Sequence, residues 1–248
     1  MILQIFLFGL AAAAAEVLGG TVIVLRKTWP RRLQEILLAL GAGFILALVF
    51  LKLIPASFGA LGDTAALFVL VGFSVIHFFE HTIVGHLHFG EETHTDVMVS
   101  KTASLSAFSG LFIHAFFDGF SISAGMQFDF FLGLLVFVGV LLHKFPEGLT
   151  ISSIMLAAGY SRRMVLWSAL AIGVATLLGV TSVFLVASLS RELIGAAFAF
   201  SAGAAAYVGA SDLIPEINKS EDRLPPLVVF GGMVLFAVTE RLLEGMLG

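Results

Sequence analysis

The chain has 248 residues, 59% hydrophobic and 12% charged, with a formal net charge of −4 and no cysteine. A soluble domain carries about a quarter charged residues, so this composition excludes an ordinary soluble globule and points to an integral membrane protein with little mass outside the bilayer. The small net charge argues against nucleic acid as a partner, and without cysteine any metal must be held by imidazole and carboxylate.

Apolar stretches near or above the ~20 residues that span a bilayer occur at Ile2–Leu25, Leu33–Phe58, Thr64–Val84, Ala103–Met126, Phe130–Ala158, Met164–Leu189, Leu193–Ile217 and Pro225–Leu247. The expected fold class is therefore an all-α polytopic membrane protein of eight transmembrane helices. The first stretch lacks the basic N-terminal region of a signal peptide, and its basic residues follow it instead, so it is read as a retained span.

Basic residues mark alternate loops. Arg26, Lys27, Arg31 and Arg32 lie between spans one and two, Arg162 and Arg163 between five and six, and Lys219 and Arg223 between seven and eight. Lys101 borders the loop between three and four, and Arg191 is the main exception. The positive-inside rule puts these loops in the cytoplasm and both termini outside. The polar segment of roughly residues 86–101 is then cytoplasmic too. Lean loops of this kind suit a bacterial inner membrane.

The chain also resembles itself at an offset of 160 residues. Gly41-Ala42-Gly43 through Leu53-Ile54-Pro55 aligns without a gap on Ser201-Ala202-Gly203 through Leu213-Ile214-Pro215. Ala15, Leu18, Gly19 and Thr21 fall on Ala175, Leu178, Gly179 and Thr181, while Leu67, Val69, Gly72 and Glu80 fall on Leu227, Val229, Gly232 and Glu240. Spans one to three (about residues 1–85) thus echo spans six to eight (about 164–248), around central spans at about 103–158. With eight spans the two copies run in opposite senses, giving an inverted three-plus-two-plus-three repeat within a single transporter domain, and such repeats place a substrate site near the bilayer midplane.

The central spans carry His114-Ala115-Phe116-Phe117-Asp118-Gly119 and His143-Lys144-Phe145-Pro146-Glu147-Gly148. Each sets a His and a carboxylate four residues apart, hence on one helix face. Ionisable groups at bilayer depth are costly and mark ion pathways or partners; a lone His would more often be a helix-packing contact, but two such pairs on adjacent antiparallel spans are harder to explain that way. If the faces meet, His114, Asp118, His143 and Glu147 form a tetrahedral metal site suited to Zn²⁺, with Fe²⁺, Mn²⁺ or Cd²⁺ also possible as the transported ion. Pro146 removes a backbone donor and leaves the Leu142 carbonyl without its usual partner, a break tolerated in a membrane where it lines a cavity.

These two motifs, with the eight spans and the His-bearing loop, resemble the ZIP family of zinc and iron transporters, whose fifth span carries His-x-x-Pro-Glu-Gly. The resemblance covers the whole chain. It implies divalent-metal uptake, a homodimer, and movement of spans one, four, five and six against a scaffold of two, three, seven and eight. Family members with two adjacent metals use polar or acidic residues after each motif His and a Glu in span six. Here those positions hold Ala115, Lys144 and Thr176. The expectation is one metal, with the Lys144 ammonium in place of the second.

Other ionisable residues remain open. Asp212 and Glu216, flanking Leu-Ile-Pro in span seven, are either an exit station for the ion or a solvated helix end. Lys52 is the repeat partner of Asp212, a cation near the outer mouth with no explanation beyond snorkelling. Glu16, the repeat partner of Thr176, is a candidate to relay protons, assist the metal or pair with Lys144. His77, Glu80 and His81, followed by His86, His88, Glu91, Glu92, His94 and Asp96, make either a weak metal-capturing tract or a plain polar loop. The competing functions are an intramembrane zinc hydrolase, for which no His-Glu-x-x-His is present, and a metal sensor without flux.

Overall fold

The computed structural model describes residues 2–26, 30–79, 101–187, 191–218 and 223–247. Among them the ordered backbone is helical: α1 (Ile2–Arg26), α2 (Arg31–Leu48), α3 (Ile54–Leu61), α4 (Thr64–Phe78), α5 (Lys101–Phe128), α6 (Phe130–Ala157), α7 (Arg162–Ala187), α8 (Arg191–Tyr207), α9 (Ile214–Asn218) and α10 (Leu224–Leu247). Seven helical stretches are long and apolar enough to cross a membrane, counting α2 with α3 as one stretch over Arg32–Leu61. The expected third span is represented by α4, an apolar helix of 15 residues; the rest of its range beyond Phe79, and the loop up to residue 100 with Glu80, His81 and the loop histidines, lie outside the described residues.

Local chemistry sets the helix ends. Asp129 is the single residue between α5 and α6, and its side chain accepts a hydrogen bond from Leu132 N at 2.9 Å, capping α6. Gly62 (φ 59°) and Gly159 (φ 81°) take the left-handed conformation just past α3 and α6, which glycine adopts without a steric penalty. In spans two and seven the helix is interrupted by matching π-helical turns, Val49–Leu53 and Val208–Leu213. Each directly precedes an Ile-Pro pair. Proline inside a helix lacks a donor and crowds the carbonyl one turn back; the wider π turn, closed by Ile54 N–H to Val49 O and by Ile214 N–H to Gly209 O, absorbs that conflict.

The packing follows the repeat. Helices α1, α5, α6 and α7 pack together, α1 on α6 and α5 on α7, while α2 packs on α10 and α8 on α4; α2–α6 and α5–α8 contacts join the two groups. The closest approaches run through glycines. A Cβ on Gly43 would strike the Val229 carbonyl and one on Gly232 that of Leu40; 160 residues on, Gly203 meets Val69 and Gly72 meets Phe200 in the same way. Between the central helices and their neighbours, Gly19 meets Phe145 and Gly148 meets Glu16, while Gly179 meets Phe116 and Gly119 meets Thr176. These contacts are interchanged by one pseudo-twofold operation that also exchanges α5 with α6. Those two helices form a hairpin and run antiparallel, so the operation inverts direction across the bundle.

Large apolar side chains on the outside complete a membrane-facing surface, for example Leu227, Phe230, Val234, Val238 and Leu242 along α10. Small residues at the contacts and large ones outside are the membrane pattern of packing. Gly72→Val is expected to lower the melting temperature of the purified protein in detergent, by the equivalent of about 1–3 kcal/mol or more from overpacking. Gly59, with nothing within 4 Å of an added Cβ, is the control, and Gly59→Ala is expected to leave the melting temperature unchanged or raise it.

Candidate functional site

His114 lies midway along α5 and His143 midway along α6. The antiparallel hairpin brings the two motif faces together. His114, Asp118, His143 and Glu147 are all buried, and each offers a donor atom within 4.8 Å of every other. Asp118 Oδ2 lies 3.3 Å from His114 Nε2 and 3.2 Å from His143 Nε2, and Glu147 Oε1 lies 3.8 Å from His114 Nε2. A tetrahedral ion with bonds of about 2.0–2.2 Å would hold its donors about 3.3–3.6 Å apart, so the cluster is within a small contraction of that geometry. Glu147 Oε1 is buried and accepts no hydrogen bond from the described residues.

The two imidazoles are held differently. His143 donates from Nδ1 to the Gly139 carbonyl at 3.0 Å, one turn back on its own helix. That bond fixes the tautomer and leaves the Nε2 lone pair directed at the cluster, the arrangement typical of a metal-ligating His. His114 instead turns its Nδ1 toward Asp212 Oδ2, 3.6 Å away. Asp212 sits in the π-helical turn of span seven. Asp212 is thus not a solvated helix end: its carboxylate lies inward, beside His114. Glu216 is in α9, and its side chain lies outside the described ones.

Lys144 is fully buried and meets three carboxylates: Glu147 Oε2 at 2.6 Å, Asp118 Oδ2 at 2.9 Å and Glu16 Oε2 at 3.4 Å. Of the three roles open to Glu16, the structure brings out its pairing with Lys144. Three carboxylates and one ammonium carry a net charge of −2, which a single divalent cation balances. A second cation beside the ammonium would be repelled strongly where the dielectric is low. Thr176, fully buried, turns its hydroxyl back to the Ile172 carbonyl at 3.5 Å.

One turn beyond Pro146, Thr150 ties α6 to α2. Thr150 Oγ1 donates to the Pro146 carbonyl at 3.0 Å and accepts from Gln34 Nε2 of α2 at 2.6 Å. Lys52 also finds a partner the sequence did not suggest: it is ion-paired with Glu240 of α10, with Glu244 at 3.7 Å. It clamps two packed helices and is not a lone cation at a mouth. His77 stands edge-on to the buried Tyr207, ring centroids 5.9 Å apart.

The sequence brought together the four motif residues but missed Glu16 as a certain neighbour and Asp212 as a near one. A signal for Glu16 existed. The operation that exchanges His114 with His143 also exchanges Ala115 with Lys144 and Thr176 with Glu16, so an acid absent at Thr176 should be sought at its mirror position. A family model described as "ZIP Zinc transporter" matches residues 84–240. No curated protein matches the chain.

Proposed function

Because this chain belongs to the ZIP zinc transporter family, and is thus an integral multi-pass membrane protein that transports divalent metal, we propose that it carries Zn²⁺ into the cytoplasm through one site held by His114, Asp118, His143 and Glu147. The observation that supports this most is the convergence of two imidazoles and two carboxylates, all buried, halfway along two adjacent spans. Such groups are kept at bilayer depth where an ion passes. The donor set is borderline in hardness and suits Zn²⁺, with Fe²⁺, Mn²⁺ and Cd²⁺ as competitors.

The ion is desolvated by exchange of water for four protein donors, which must be deprotonated to bind it. Lys144 stands where a second metal would otherwise be neutralised by acids, so the site takes one ion. It also opposes the first, which keeps affinity moderate and favours turnover over storage. A hydrolase would need an open coordination position for an activated water, and four inward donors do not provide one. The distribution of basic loops supports both termini outside and uptake into the cytoplasm. The contacts of α1, α5, α6 and α7 with one another support their moving together against the remaining helices, and the family relation supports a homodimer.

Zinc uptake into proteoliposomes is expected for the wild type and lost, by at least about a hundredfold given the removal of two of four ligands, in His143→Ala/Glu147→Ala; stoichiometric binding without flux in the wild type would instead support a sensor. Calorimetric titration should give one Zn²⁺ per chain in the wild type, and tighter binding or a second equivalent in Lys144→Met; an unchanged titration would remove the ammonium from the account. Single cysteines introduced at residues 2 and 161 of this cysteine-free chain should react with an impermeant maleimide from outside and inside the cell respectively, and the reverse pattern would invert the direction of transport.

A further inference from the structure

Glu16 has no place among the four donors, yet it is fully buried, and neither of its carboxylate oxygens accepts a hydrogen bond from a described residue. A buried carboxylate without hydrogen bonds is costly, so it needs a counterion. The cation beside it, Lys144, is closer to two other acids: 2.6 Å from Glu147 and 2.9 Å from Asp118, against 3.4 Å from Glu16. The Asp118 oxygen that holds the ammonium is also the one that faces both imidazole nitrogens. A metal ion and the ammonium therefore compete for the same oxygen.

Resting on the metal site proposed above, we propose that Glu16 is a positioning residue that takes over the Lys144 ammonium when a divalent cation claims Asp118 and Glu147. The ammonium does not reach the surface, since Lys144 is fully buried at mid-span. If it stayed in place, two positive centres would share one carboxylate oxygen in a low dielectric, a strongly repulsive arrangement. Glu16 offers two unfilled oxygens on the side of the ammonium that faces α1. A shift toward Glu16 separates the cations and gives the orphaned carboxylate its hydrogen bonds. When the metal leaves, the ammonium returns and stands in for it, so the empty site never holds three unscreened acids.

The pseudo-twofold shows that packing does not require this pair. On the mirror side the same close helix contact, Gly119 against the Thr176 carbonyl, is made with Ala115 and Thr176 in place of Lys144 and Glu16. The charged pair is thus an addition to a contact that forms without it. It is also the chief break in the symmetry of the site, placing the ammonium's alternate partner on α1 and not α7.

The test is a two-residue cycle on the full chain in detergent, with Zn²⁺ as the probe and binding followed by calorimetry. Glu16→Gln removes the second holder and should raise the apparent Kd about tenfold or more, the scale of a buried charge left without its partner. Adding Lys144→Met to Glu16→Gln removes the displaced cation and should restore wild-type affinity or exceed it. A merely structural role for Glu16 would leave the double variant as weak as the single, and that outcome overturns the proposal, as does an unchanged Kd in Glu16→Gln. If Glu16→Gln does not fold, Glu16→Asp takes its place: it should weaken binding and be relieved by Lys144→Met, and the absence of either effect overturns the proposal. In the zinc-minus-metal-free infrared difference spectrum, one carboxylate band should vanish in Glu16→Gln; no change there also overturns it. A wild type that binds no Zn²⁺ would sink the metal site itself, whereas wild-type binding with an indifferent Glu16 sinks only this role.

Discussion

Everything at the centre of this protein turns on one ammonium among three carboxylates, buried within the helical bundle. Glu16, Asp118 and Glu147 are buried around the equally buried Lys144. In water such groups would be hydrated and would interact weakly. At bilayer depth each charge is costly alone, and the opposite charge beside it offsets that cost. The formal charges of these four groups sum to −2, and the imidazoles of His114 and His143 stand beside them, which is what supports the proposed divalent-metal site.

The helices around that centre are arranged by close backbone contact and not by hydrophobic sorting, which lipid does not provide. Glycines 43, 72, 203 and 232 bring α2 against α10 and α4 against α8, and glycines 19, 119, 148 and 179 bring α1 against α6 and α5 against α7. The first set ties together the pairs outside the site; the second presses the two motif-bearing helices onto their flanking partners. Both sets obey one pseudo-twofold, as do the π-helical turns before Pro55 and Pro215. A symmetric frame of this kind has two related packings available to it, which is the usual physical basis of alternating access.

Function lies in the departures from that symmetry. Lys144 and Glu16 face Ala115 and Thr176 across the axis. Lys52, clamped to Glu240 and Glu244, is the counterpart of Asp212, which reaches toward His114 instead. His143 is anchored on its own helix through Gly139, whereas His114 is oriented from another helix. The two imidazoles are therefore held by different means, His143 by a carbonyl of its own helix with Lys144 beside it and His114 from span seven.

Much of this was legible in the chain. The spans follow from runs of apolar residues, because the bilayer imposes a length and forbids unpaired backbone. The pairing of donors follows from spacing: residues four apart share a helix face, and the short turn between spans four and five makes them antiparallel neighbours, while the meeting of the two faces was a condition that the structure met. Even the operator was present in the offset that aligns Leu53-Ile54-Pro55 with Leu213-Ile214-Pro215. What the tertiary structure alone decided was which distant charges meet. Nothing local distinguishes Glu16 as a partner of Lys144 from Glu16 as a proton relay, or Lys52 in an ion pair from Lys52 at an open mouth. Nor does spacing show that a π turn swings Asp212 toward His114. Those outcomes depend on the rotation and depth of helices relative to one another, which are set by glycine contacts spread over the whole chain, and no window of sequence contains them.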